Sequence, residues 1–218
     1  MEFDAVMFDL DGTLADTLAD IAAAANHALG VFGRPAIAVR DYRYLVGDGA
    51  RNLMKRALGE TEDSIVSKAV ALFREYYRDR GLEHARPYEG VPQMVEALRQ
   101  HGVRMAVLSN KPDAAAHQVA EHLFPHGTFD AVRGHLDGPA APGLKPDPAA
   151  ALAIAEALSV PPQRWAFVGD TAIDMQTANA AGMFAVGVLW GFRDEAELKS
   201  GGAHAIISEP MELLGCVE

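Results

Sequence analysis

Asp9 and Asp11 stand one residue apart in VMFDLDGTLAD (6–16), where an apolar run meets Gly12. Neighbouring carboxylates make each other harder to ionise. Such a pair implies either a cation between the two or side chains that do chemistry. Three more polar groups occupy similar places. Ser109-Asn110-Lys111 follows VRMAVL (103–108), Lys145-Pro146-Asp147-Pro148 lies in a Pro/Gly-rich stretch, and Gly169-Asp170-Thr171-Ala172-Ile173-Asp174 follows WAFV (165–168). Polar residues after a strand are ordinary in loops, so each group alone says little. Together, and in this order, they define one site with a coherent chemistry.

The elements that must position these groups can be read from apolar periodicity and from glycine and proline punctuation. Residues 4–9 read as a strand. Helical patterns then run from Asp16 to Phe32, with Gly33 at its C′ position, from Asp48 or Gly49 to Leu58, and from Asp63 or Ser64 to about Arg80. No strand is expected between 15 and 86, and ARPYEGVP ends the helical stretch. Beyond it the expected order is helix 91–101, strand 103–108, helix 113–123, strand 129–132, helix 148–158, strand 165–168, helix 172–181, strand 184–189, strand 204–207 and a terminal helix. Alternation of this kind predicts an α/β fold with a doubly wound parallel sheet, whose reactive loops lie beyond the carboxyl ends of the strands.

Composition narrows the partners. The 218 residues are 50% hydrophobic and 22% charged, ordinary values for a globular protein. A formal charge of −11 disfavours a nucleic acid or an anionic membrane surface as partner. It also obliges a site for an anionic substrate to supply positive charge locally. The single cysteine, Cys216, allows no intramolecular disulfide and fits a reducing compartment. Glu2 and Asp4 replace the basic start of a signal peptide, and the most apolar helical run, IAAAANHAL, is too short to span a bilayer. The expectation is a cytoplasmic protein, monomer or homodimer.

The ordered set Asp-x-Asp-Gly-Thr (9–13), Ser-Asn (109–110), Lys145 and Gly-Asp-x-x-x-Asp (169–174) resembles the haloacid dehalogenase superfamily of aspartate-dependent phosphotransferases. A helical insert directly after the first motif resembles the subclass with a four-helix cap. The resemblance covers essentially the whole chain. It implies a Rossmann-like core from residues 1–14 and 87–218, with residues 15–86 as the cap. It further implies that Asp9 is the nucleophile and passes through an aspartyl-phosphate. Mg²⁺ would be held by Asp9, Asp170 and the backbone carbonyl of Asp11, with Asp174 in or just behind the ligand set and Thr13 supporting the turn. Asp11 would protonate the leaving alkoxide and later accept a proton from water. Dehalogenases lack this second aspartate, which favours phosphorus chemistry. Ser109 and Lys145 would hold the phosphoryl oxygens, with the backbone amides around Leu10 and Asn110 as further donors. Lys111 reads either as part of that phosphate site or as a solvated charge at a helix start.

Substrate choice falls to the cap. In VGDGARNLMKRAL (46–58), Gly47 and Gly49 precede a helix whose N-terminus can receive an anion, and Arg51 is close by; this places Gly49 and Arg51 on the substrate. The segment resembles the corresponding stretch of phosphoglycolate phosphatases, as do SNKPD, GDTAID and GVLWGFRDEAEL, although Asp48 stands where Asn is usual. The expected activity is hydrolysis of a small phosphate ester, foremost 2-phosphoglycolate. A β-phosphoglucomutase-like transferase shares this core and cap type and is the alternative. A receiver-like binding module is more remote, being about half this length. Asn110-Lys111-Pro112-Asp113 matches a guanine-reading motif, but the phosphate-cradling Gly-Lys-Ser/Thr is absent from the sequence, which excludes that reading.

Overall fold

The computed structural model describes residues 3–60, 62–138 and 142–217. Strand β1 (Ala5–Phe8) leads to a two-residue strand β2 (Ala15–Asp16) and helix α1 (Leu18–Val31). A 3₁₀ segment (Val39–Tyr44), α2 (Ala50–Leu58) and α3 (Asp63–Arg80) follow, and β3 (Arg86–Pro87) returns the chain. The remainder alternates: α4 (Val91–Gln100), β4 (Arg104–Pro112), α5 (Asp113–Leu123), β5 (Ala131–His135), α6 (Ala149–Ala157), β6 (Trp165–Gly169), α7 (Ala172–Ala181), β7 (Phe184–Val188), α8 (Glu195–Gly201), β8 (Ala205–Ile207) and α9 (Leu213–Val217).

Six strands form one parallel sheet in the order β5-β4-β1-β6-β7-β8. Counting only its own strands along the chain, that order is 3-2-1-4-5-6, the doubly wound arrangement, with the order reversing beside β1. Side chains alternate across the sheet and both faces are apolar. Val6, Phe8, Val107 and Val168 face one cluster; Met7, Leu108, Trp165 and Phe167 face the other. This is why the strands read as unbroken hydrophobic runs. The first cluster continues without interruption into α1, α2 and α3 through Leu29, Met54, Phe73 and Tyr77. The helices therefore share a core with one face of the sheet.

Four features differ from expectation. The segment 15–86 begins and ends in strand: Ala15 pairs with Pro87 and Asp16 with Arg86, antiparallel, a two-rung ladder too short to leave a periodic signal. Where the resemblance implied four cap helices, the described residues form three α-helices and one 3₁₀ segment; Tyr42 of that segment is buried and bonds Asn26 of α1. Helix α8 was not expected, although Asp194 caps it by accepting from the amide of Glu197 (2.9 Å) and Gly202 ends it. Strand β4 also runs on to Pro112. Its register with β5 shifts between Leu108 and Pro112, so the Ser109–Lys111 stretch bulges from the ladder.

Candidate active site

Parallel pairing sets Phe8 level with Val107 on one side and Val168 on the other, so the next residues of all three strands emerge together. Asp9 continues the ladder through its amide, which donates to Val168 O (2.9 Å), and its carboxylate is buried. Gly12 then turns the chain at φ +92°, and a Cβ there would stand 2.3 Å from Asp170 Oδ2. Only glycine admits Asp170 at this distance.

Asp9, Asp170 and Asp174 each offer a carboxylate oxygen, and the three oxygens lie within 4.8 Å of one another, all buried. One cation answers them. Lys145 Nζ donates to Asp9 Oδ1 and to Asp174 Oδ1, each at 2.7 Å. Burial alone would lower the pKa of Lys145, but Asp174 and Asp9 outweigh it and hold the ammonium charged. Burial raises Asp9 to about 7, with Lys145 opposing and Asp174 adding to the rise. Asp170 is also raised, by burial first and then by Asp174 and Asp9, against the amide of Phe192 at 2.8 Å. Thr13 Oγ1 donates to its other oxygen at 3.4 Å. Asp174 takes the amide (3.0 Å) and hydroxyl (2.7 Å) of Thr171, forming the capping box of α7.

Three buried carboxylates against one lysine leave excess negative charge, and hard oxygen donors at this spacing suit Mg²⁺. Asp174 thus belongs to the acidic cluster itself. The Asp11 side chain does not; it turns the other way, accepting from Thr17 Oγ1 (2.5 Å) and from Lys111 Nζ at 3.0 Å on both oxygens. Two carboxylates one residue apart therefore occupy separate environments, one facing Lys145 and the other Lys111.

Lys111 is buried, so the solvated-charge alternative is wrong for this residue. Its ammonium lies 4.3 Å from the centre of the Tyr77 ring. Burial works against the charge, yet Asp11 and Tyr77 raise its pKa overall. Ser109 is buried and lines the cavity, its hydroxyl accepting from the Lys111 amide (3.2 Å). The side chain of Asn110 is committed elsewhere. It donates to Gly47 O (2.9 Å) and Lys145 O (3.1 Å) and accepts from Lys145 N (2.8 Å). It braces the lysine loop against the segment before α2.

A cavity of about 670 Å³ opens between these strand ends and the helices, lined by Asp9, Asp11, Ser109 and Lys111 below and by Gly49, Leu53 and Tyr77 above. Gly49 (φ +93°) caps α2 and takes its expected place there. Arg51 does not line it: its guanidinium bonds Asp63 (2.7 Å) and Ser67 (3.2 Å), because one turn of α2 carries it toward α3 and solvent. Asp48, which stands where Asn is usual, is neutralised by a two-pronged pair with Arg56. Tyr77 was missed, since an aromatic at helical spacing reads as core; so was Thr17, which carries no motif signal.

The model of the haloacid dehalogenase-like hydrolases matches residues 6–188. The chain belongs to this family. Its members that resemble it along nearly the full length include the phosphoglycolate phosphatase of Pseudomonas putida, 36% identical over 98% of this chain and 79% of that protein. Phosphoglycolate phosphatase 1 of Pseudomonas aeruginosa is 34% identical over the same shares. A crystal structure of a candidate phosphoglycolate phosphatase from Lactobacillus delbrueckii subsp. bulgaricus superposes with a TM-score of 0.90 at 32% identity, covering 100% of this chain and 99% of that one. The protein is thus a haloacid dehalogenase-like hydrolase whose polar strand ends meet at the reversal point of the sheet. No helix of its described residues is long and apolar enough to cross a membrane.

Proposed function

We propose that the protein is a Mg²⁺-dependent phosphomonoesterase for a small phosphorylated acid, 2-phosphoglycolate, working through an aspartyl-phosphate on Asp9. The observation that carries this is the pairing of two carboxylates in opposite settings: Asp9 in the acidic cluster beside Lys145, Asp11 beside Lys111 and outside it. The residues 1–14 and 87–218 act as the core, and 15–86 as a cap hinged at the β2–β3 ladder.

Asp9, Asp170 and the Asp11 carbonyl, with Asp174 beside them, would hold Mg²⁺, which when bound supplies the positive charge that lets a carboxylate meet a phosphate dianion. Asp9 attacks phosphorus and the bond to the ester oxygen breaks. Asp11 gives its proton to that oxygen, and glycolate leaves. A water then loses a proton to Asp11 and attacks the same phosphorus, which frees Asp9 and releases orthophosphate. Lys145 and Ser109 face the phosphoryl oxygens, with Asn110 holding the lysine loop. The helices above the cavity exclude bulk water during the first step.

The names of the relatives support the substrate, and Arg56 offsets the Asp48 carboxylate, which unpaired would repel that of phosphoglycolate. The mutase alternative loses Arg51 as a sugar-phosphate contact, since that residue lies outside the cavity. The receiver alternative does not accommodate a family match running over residues 6–188. The test is a panel of phosphate esters ranked by kcat/KM with Mg²⁺: phosphoglycolate, glucose phosphates, nucleotides, pyrophosphate and an aryl phosphate. Phosphoglycolate is expected first. Conversion of glucose 1-phosphate to the 6-phosphate, or a higher rank for a substrate without a carboxylate, would overturn the assignment.

A further inference from the structure

We propose that Lys111 and the hydroxyl of Tyr77 form the receptor for the substrate's carboxylate, so that the residue after Ser109-Asn110, and not Arg51, selects an acid over a neutral ester. The inference rests on the phosphoglycolate reading above. Its starting point is a buried polar atom. Tyr77 is almost wholly buried and lines the cavity; its hydroxyl makes no well-formed hydrogen bond among the described residues, and the polar group that acts on it is the Lys111 ammonium. A buried hydroxyl left without a well-formed hydrogen bond costs free energy, so its presence in a cavity wall marks a place where something else completes it. Burial raises the phenol's pKa, which keeps it a neutral donor at physiological pH.

Position supports the pairing. In phosphoglycolate the carboxylate is separated from the ester oxygen by a single methylene carbon. Asp11 serves that oxygen, and Lys111 Nζ is 3.0 Å from both oxygens of Asp11. A group one carbon beyond the leaving oxygen therefore falls within the span of a lysine side chain seated on the Tyr77 ring at 4.3 Å. The two arginines that line the cavity pair with exposed carboxylates of their own, although Arg74 Nε is buried without a partner among the described residues. Arg74 is paired with Asp137 (2.7 Å) and Arg78 with Asp79 (2.8 Å). Because the cavity is far larger than a two-carbon acid, a specific receptor near Asp11 is also what would keep so small a substrate at the Asp9 end.

The test measures binding, not turnover. The Mg²⁺-loaded protein is titrated by calorimetry with 3-phosphonopropionate, which replaces the ester oxygen of phosphoglycolate by methylene, and with propylphosphonate, which lacks the carboxylate. Charge-assisted hydrogen bonds are worth enough to predict a preference for the acid of about tenfold or more in Kd. Lys111→Met should bring the ratio close to one, and Tyr77→Phe should reduce it part of the way, with unchanged circular dichroism in both. Retention of the full preference in Lys111→Met, or its loss in Arg74→Met instead, would overturn the receptor while leaving the phosphoglycolate reading intact. Equal binding of both ligands by the unaltered protein would remove the substrate reading, and the receptor with it. If Lys111→Met fails to fold, Tyr77→Phe, which deletes only the hydroxyl oxygen, decides: an unaltered ratio counts against the receptor.

Discussion

Replacing Lys145 by Met tests the electrostatics of the site most sharply. The lysine is buried, bonds Asp9 and Asp174 at 2.7 Å each, and is the cation beside three carboxylates whose oxygens lie within 4.8 Å. Removing one partner of a buried ion pair typically costs about 3–5 kcal/mol, because the remaining charge has nothing to offset its lost hydration. Here protons can relieve the loss. Asp9 already has its pKa raised to about 7, and Asp170 is raised as well. A carboxyl whose folded pKa exceeds its unfolded value binds more protons in the folded state, so stability falls as pH rises from about 4 toward 7. Without Lys145 that window extends upward. Urea unfolding of the metal-free proteins should therefore show a penalty small near pH 5 and several kcal/mol near pH 8. Saturating Mg²⁺ should return part of it by binding the folded state. A penalty that ignores both pH and Mg²⁺ would refute the reasoning.

Three other perturbations follow from the same geometry. Arg51→Ala should leave kcat/KM for phosphoglycolate within about twofold, since an exposed pair with Asp63 is worth little; a tenfold loss would return the residue to the substrate. Asn110→Ala should lower activity by freeing the Lys145 loop from the Gly47 carbonyl, with kcat falling more than KM rises, checked by steady-state kinetics. Chelation with EDTA should abolish phosphate release and added Mg²⁺ restore it; indifference would count against a metal at Asp9, Asp170 and Asp174.

The core was legible because its strands are buried on both faces and end in polar residues, which makes Asp9, Ser109 and Asp170 stand out against apolar runs. Helices α1, α2 and α3 also read correctly, because Gly33, Gly59 and Gly81 mark their ends. What escaped depends on contacts distant in sequence. Arg51 and Arg56 sit on one short helix, and nothing local tells which faces Asp63 and which neutralises Asp48. Asn110 adjoins the site residues, yet its partners are the backbones of Gly47 and Lys145. Tyr77 keeps the spacing of a core residue and does pack as one; only its terminal oxygen and the lysine above its ring set it apart. The β2–β3 ladder is two residues long on each side and below any periodic signal.

The covalent step is open to direct observation. The protein is mixed with Mg²⁺ and substrate carrying a radiolabelled phosphoryl group, quenched in acid within one turnover, digested and mapped. The label should be found as an acyl phosphate on Asp9 and should vanish in Asp9→Asn. Label on any other residue, or undiminished turnover without label on the protein, would contradict the account.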